Sequence, residues 1–136
     1  MAASDSPRRE RPLSPHLQVY RWQVQMVTSI LHRATGMALA VGLLAMVWGL
    51  VALAAGPERW TAFADCAGSL PGRIVLFGFS WALAYHLLNG IRHLVQDAGH
   101  AWSIPEFVRS SWISIIGSVL LVVVAWGIVL VRWGQA

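Results

Sequence analysis

The chain has 136 residues, of which 57% are hydrophobic and only 12% charged, against roughly 25% charged in a soluble domain. That composition excludes an ordinary soluble globule, and the length leaves room for one domain. The net charge of +4 comes from arginine without any lysine, and the arginines flank apolar stretches instead of forming a basic stripe, which argues against nucleic acid as a partner.

Residues 1 to about 20 read as a polar arm interrupted by Pro7, Pro12 and Pro15. The start lacks the basic, apolar and small-residue succession of a secretory signal, so no cleavage is expected. From Gln18 a mixed stretch bearing Tyr20 and Trp22 predicts an interfacial segment; arm and segment together take residues 1–26. Three uncharged windows follow, at 34–57, 74–91 and 110–131, each near the roughly 20 residues that span a bilayer as helix. They predict an all-α membrane protein whose three-helix transmembrane domain, residues 27–136, has helices over about 27–55, 73–97 and 106–132. Gly56-Pro57 is the expected stop of the first helix. The link through Asp65 and Pro71-Gly72 reads as a loop, with residues 58–65 a solvated turn anchored in lipid by Trp60 and Phe63. Pro105 suits a first helical turn, and Trp102, Trp112 and Trp133 bracket the last span.

Arg8, Arg9, Arg11, Arg21, Arg33, Arg92 and Arg109 fall on one side of the predicted spans and Arg59, Arg73 and Arg132 on the other. The positive-inside rule then places the N-terminus on the cytoplasmic or matrix side. The first helix starts there and the second ends there, which brings His32 and Arg33 to the level of Arg92 and His93.

His86 lies inside an apolar window, about 9 Å along the helix from Arg92. An ionisable group at that depth usually faces a bundle interior or a ligand. The plain alternative is a neutral imidazole hydrogen-bonded to a neighbouring helix. Gly90 and His93 share its face at i+4 and i+7, so a flat slot beside the ring suits a porphyrin edge, although glycine equally serves close helix packing. His32, Arg33, Arg92 and His93 would meet the propionates at the mouth of that slot, whereas interfacial arginines also simply snorkel. His86 and His93 project the same way and cannot grip one iron from opposite faces. His16 lies in the arm, His32 at the interface and His100 beyond the helix end, so a second axial ligand has to come from another chain. Cys66 is the only cysteine, which excludes an intrachain disulfide and a thiolate-held iron–sulfur cluster. Ser29 and Arg33, four apart on one helix face, form a hydroxyl and guanidinium pair able to hold a quinone carbonyl; a serine bonded to its own i−4 carbonyl is the plain alternative. Tyr85 is open in role, and Asp97, at i+4 from His93, either orients that ring or ends the helix.

The segments RPLSPHLQVY, SILHRATG and HLLNGIRHLVQDAG resemble the cytochrome b membrane-anchor subunits of succinate dehydrogenase, respiratory complex II. The resemblance covers nearly the whole chain. It implies that His86 is an axial ligand of haem b, with the other axial histidine on a second, small hydrophobic anchor subunit. It implies that Ser29 and Arg33 belong to the ubiquinone site and that His32 and Arg33 approach the haem propionates. The implied partners are a flavoprotein subunit, an iron–sulfur subunit, the small hydrophobic anchor and membrane lipid, with electrons from succinate passing to ubiquinone. One departure is visible: the position before the motif's aspartate, commonly aromatic or methionine, is Gln96, which bears on packing at that end. Two other readings stand beside this one, a haem-free quinone-reactive anchor of fumarate reductase type and a small channel or transporter relaying protons through His86. The expected location is a bacterial inner membrane in preference to a mitochondrial one, since no long acid-free presequence precedes the arm.

Overall fold

The computed structural model describes residues 21–133. The predicted polar arm with His16 and Tyr20, and the side chain of Trp133, lie outside the described residues. Four helices make up the described chain: α1 Val24–Ala54, α2 Pro57–Gly68, α3 Leu70–Asp97 and α4 Ile104–Trp133. Three of them, α1, α3 and α4, are long and apolar enough to cross a membrane. At 31 residues α1 extends about 46 Å, more than the ~30 Å hydrocarbon layer, so it is longer than a bilayer span requires.

α1 stops at Gly56, whose φ of +110° is the conformation glycine supplies without strain. The segment expected to be a loop is instead the helix α2. Pro57 occupies its first turn, where a missing N–H costs nothing, and Glu58 sits at the positive end of the helix. Trp60 and Phe63, one turn apart, stack with centroids 5.7 Å apart, and Phe63 meets Trp48 of α1 edge-on at 5.0 Å. This aromatic cluster gives a short polar helix the packing that its own propensity lacks.

Ser69 serves both neighbours at the α2–α3 corner. Its N–H closes α2 on the Asp65 carbonyl at 3.0 Å, and its Oγ caps α3 by accepting from the Gly72 N–H at 3.2 Å. A Cβ at Gly72 would collide with the backbone carbonyl of Cys66. Gly72→Ala is therefore expected to destabilise the protein by about 1–3 kcal/mol, read as a lower unfolding midpoint in detergent. Gly78→Ala, where a Cβ meets nothing, serves as the control and should leave the midpoint unchanged or raised. Equal losses in both variants would refute the steric account.

α3 packs against each of the other helices. It runs antiparallel to α1, with Tyr85 reaching Thr28 and Phe79 lying against Gly42, and antiparallel to α4, where Trp126 donates to Ser80 Oγ at 3.2 Å. The interior is small and polar: Thr28, Thr35, Asn89, Ser111, Ser114 and Ser118 are buried while most of the large aliphatic side chains point outward. Small residues let the backbones approach closely, and the serine hydroxyls of α4 are satisfied by carbonyls of their own helix. Only 11% of the most apolar window of α1 is buried within the chain, so most of that surface remains for lipid or other subunits.

Candidate functional site

The seam between the start of α1 and the end of α3 collects the polar residues of the chain. Thr28, His32 and Thr35 recur at three- and four-residue spacing and so fall on one stripe of α1. On α3, Tyr85, Asn89, Arg92 and Gln96 form a buried stripe, with His86, Gly90 and His93 beside it. The Tyr85 hydroxyl, fully buried, donates to the Thr28 carbonyl at 2.9 Å and fixes the two helices at that level.

His86 stands at the centre of this seam. Its ring stacks on that of His32, with centroids 3.9 Å apart and planes 8° from parallel, and His32 in turn meets His93 edge-on at 5.1 Å. His86 Nδ1 lies 3.2 Å from the His32 carbonyl oxygen and 3.3 Å from Thr35 Oγ1. A carbonyl can only accept, so Nδ1 carries a proton in this contact, and in the neutral ring that tautomer leaves the lone pair on Nε2. Nε2 has no hydrogen-bond partner among the described residues. A Cβ on Gly36 would stand 3.1 Å from His86 Cε1, and one on Gly90 would stand 3.8 Å from His32 Cε1. The two glycines let both imidazoles lie against the opposing backbones.

This arrangement alters two expectations. Depth alone places His32 at the interface, apart from His86; the two rings are in contact, because His32 packs over Gly90, one turn from His86. Parallel stacked rings still cannot clasp one iron from opposite sides, so the demand for an outside ligand stands as an expectation. Depth also groups Arg92 with His32, Arg33 and His93, yet six residues from His86 is about 240° around the helix, and its side chain enters the α3–α4 seam. There Nε donates to Ser110 Oγ at 3.0 Å and the guanidinium lies 4.6 Å over the Phe107 ring. Nη1 donates to Asn89 Oδ1 at 3.4 Å, while Asn89 Nδ2 donates to His93 Nε2 at 3.1 Å. Arg92 therefore meets the histidine cluster through Asn89. Its Nη2 is buried without a partner among the described residues, as are His32 Nδ1 and Gln96 Nε2.

The partner of His93 is thus Asn89 and not Asp97, which is exposed at the end of α3. Ser29 is half-buried and Arg33 exposed, both at the start of α1. The intrahelical bond offered as the plain reading of Ser29 is not formed among the described residues, although Thr28, Thr35, Ser110 and Ser111 all bond to carbonyls of their own helices. Thr35 and Asn89 are site residues that the sequence reading misses. Signals for both exist: Thr35 lies three residues from His32, and Asn89 is an amide inside an apolar span, where an unpaired polar group is costly.

A family model for the succinate dehydrogenase/fumarate reductase transmembrane subunit matches residues 7–125. The chain belongs to this family. It is 46% identical over 120 residues to the succinate dehydrogenase cytochrome b556 subunit of Paracoccus denitrificans, covering 88% of this chain and 92% of that one. The subunit of the same name from Rickettsia conorii is 40% identical over 117 residues, covering 86% and 91%. The mitochondrial cytochrome b560 subunit of Sus scrofa is 39% identical over 115 residues, covering 81% of this chain and 66% of that one. Membership agrees with the resemblance carried by SILHRATG and HLLNGIRHLVQDAG, and with the three apolar helices.

Proposed function

We propose that this chain is the membrane-anchor subunit of a succinate:quinone oxidoreductase, holding haem b on His86 and forming part of the ubiquinone site. The observation that carries the reading is the state of His86, whose Nδ1–H is committed to the His32 carbonyl and whose Nε2 is left free to bind a metal. The residues around it fit a haem. Gly36 and Gly90, lacking a Cβ, let His86 and His32 seat closely against the opposing helices, and His32 Nδ1 is a buried group in want of a partner. His32, Arg33 and His93 are assigned to the propionates, with Arg92 supporting His93 through Asn89. When bound, the haem would supply a one-electron carrier; a further histidine to hold it is assigned to a separate small hydrophobic anchor subunit.

Ser29 and Arg33 are assigned to a carbonyl oxygen of ubiquinone. Reduction to the quinol takes two electrons and two protons, and a guanidinium beside that oxygen favours the negative charge that develops on it. With the N-terminus on the cytoplasmic side, these residues lie at the mouth facing the flavoprotein and iron–sulfur subunits, which supply the electrons. The proposed location is the inner membrane of a bacterium.

The stack of His32 on His86 and the contacts at Nδ1 hold the imidazole in place without iron, which favours a haem-free anchor of fumarate reductase type as the second reading. A pyridine haemochrome assay on the intact complex, extracted in mild detergent with its co-purifying subunits identified, separates the two. Stoichiometric haem b with flavin-containing partners is the expected result. Flavin-containing partners without porphyrin would establish the haem-free anchor, and oligomers of this chain alone would overturn both.

A further inference from the structure

We propose that Thr35 is a positioning residue for His86, setting the tautomer, the ring orientation and the electron density of the nitrogen that faces the metal. The inference rests on the assignment of haem to His86 and adds a residue to it. Thr35 is 4% exposed and stands one turn along α1 from Leu31. Its Oγ1 is 2.8 Å from the Leu31 carbonyl, 3.0 Å from the His32 carbonyl and 3.3 Å from His86 Nδ1. The hydroxyl proton is given to one of the two carbonyls of its own helix, so the oxygen presents its lone pairs to the imidazole. The Nδ1–H of His86 is then shared between two acceptors held on one turn of α1, the His32 carbonyl and the Thr35 hydroxyl. An imidazole whose outer N–H is held in this way cannot turn over, and it becomes a more basic ligand through its other nitrogen.

The arrangement is specific to the hydroxyl. Valine at position 35 has nearly the same shape and keeps the packing against α3, but it removes one acceptor and places a methyl group against a polar N–H. The β-carbon branch also locks the rotamer, since the two heavy atoms on Cβ leave few staggered positions on a helix. Serine keeps the acceptor and loses only a methyl group. These substitutions separate the hydrogen bond from the volume.

The consequence falls on the haem's redox poise. A more basic axial nitrogen favours the ferric state over the ferrous one, so loss of the Thr35 acceptor should raise the midpoint potential. In the assembled complex, Thr35→Val is expected to raise the ferrous-to-ferric ratio at the wild-type midpoint about tenfold, a shift of about 59 mV for one electron. Haem retention through detergent washing should fall about tenfold, the scale of a lost outer-shell partner. Thr35→Ser should stay close to wild type in both readouts, and Thr35→Ala, which cannot overpack, should behave like Thr35→Val. Spectroelectrochemical titration of the b band, normalised to flavin, reads all four proteins. Unmoved potentials in both hydroxyl-free variants, or equal shifts in the serine and valine proteins, would overturn the role of Thr35 while leaving haem on His86 intact. A wild-type complex without porphyrin, or a b band that survives His86→Leu unchanged, would instead remove the assignment on which the inference rests.

Discussion

Replacing His86 with leucine is expected to abolish the b-type absorbance of the assembled complex while flavin content and membrane attachment persist. Leucine fills most of the imidazole's volume but offers no lone pair, so on the proposed assignment this chain would no longer supply a nitrogen to hold the haem. Two neighbours serve as internal comparisons. His32→Leu removes the ring stacked at 3.9 Å but leaves the His32 backbone carbonyl that accepts from His86 Nδ1; it should weaken haem retention without erasing the spectrum. His93→Leu breaks the contact with Asn89 and should likewise preserve the band. Reduced-minus-oxidised difference spectra normalised to flavin decide the matter. An unchanged band in His86→Leu, or full loss in all three variants, would refute His86 as the axial ligand.

The contrast between His32 and Arg92 shows what a sequence discloses about such a site. Depth in the membrane is legible, because the apolar windows and the arginines that flank them fix roughly where each residue lies along the bundle axis. Azimuth is legible only within one helix: His86, Gly90 and His93 share a face of α3 by helical phase alone. Which face meets which neighbour depends on packing, and hydropathy says little about it when the interior is small and polar and the aliphatic residues point outward. Depth therefore groups Arg92 with the histidines although α4 claims its side chain, and separates His32 from His86 although Gly90 lets them meet.

The helix α2 is hidden for a different reason. Its sequence, PERWTAFADCAG, carries turn-forming and charged residues at both ends and is too short to be stable alone. Its stability comes from Phe63 seated against Gly49 and Trp48 of α1, a tertiary contact that no local propensity reports. The spacing of Trp60, Phe63 and Ala67, at i, i+3 and i+7, is the available sign of an amphipathic turn. The stop at Gly56-Pro57 is legible because it is purely local, a backbone conformation that one residue type supplies.

Ser29→Ala is expected to depress quinone reduction by about tenfold, equivalent to about 1.4 kcal/mol in the barrier and within the range of one lost hydrogen bond. Succinate oxidation by a soluble artificial acceptor should be unaffected. Other buried hydroxyls near Ser29 are bonded to their own helix, whereas that of Ser29, half-buried in the first turns of α1, is uncommitted among the described residues. Its removal therefore breaks no intrahelical bond, and alanine is a better helix former than serine, so a fall in activity cannot be attributed to unfolding of α1. Arg33, exposed one turn away, would on the proposed assignment contribute a charged donor, and charge-assisted hydrogen bonds are roughly twice as strong as neutral ones. Arg33→Leu should accordingly cost about ten- to a hundredfold in quinone reduction. Arg33→Lys should recover only part of the loss, since an ammonium keeps the charge without the planar fork. Steady-state assays of each variant, with quinone and with the soluble acceptor in parallel, provide the test. Equal loss with both acceptors would place the damage in assembly or upstream electron delivery, and undiminished quinone reduction in both Ser29→Ala and Arg33→Leu would exclude this end of α1 from the quinone site.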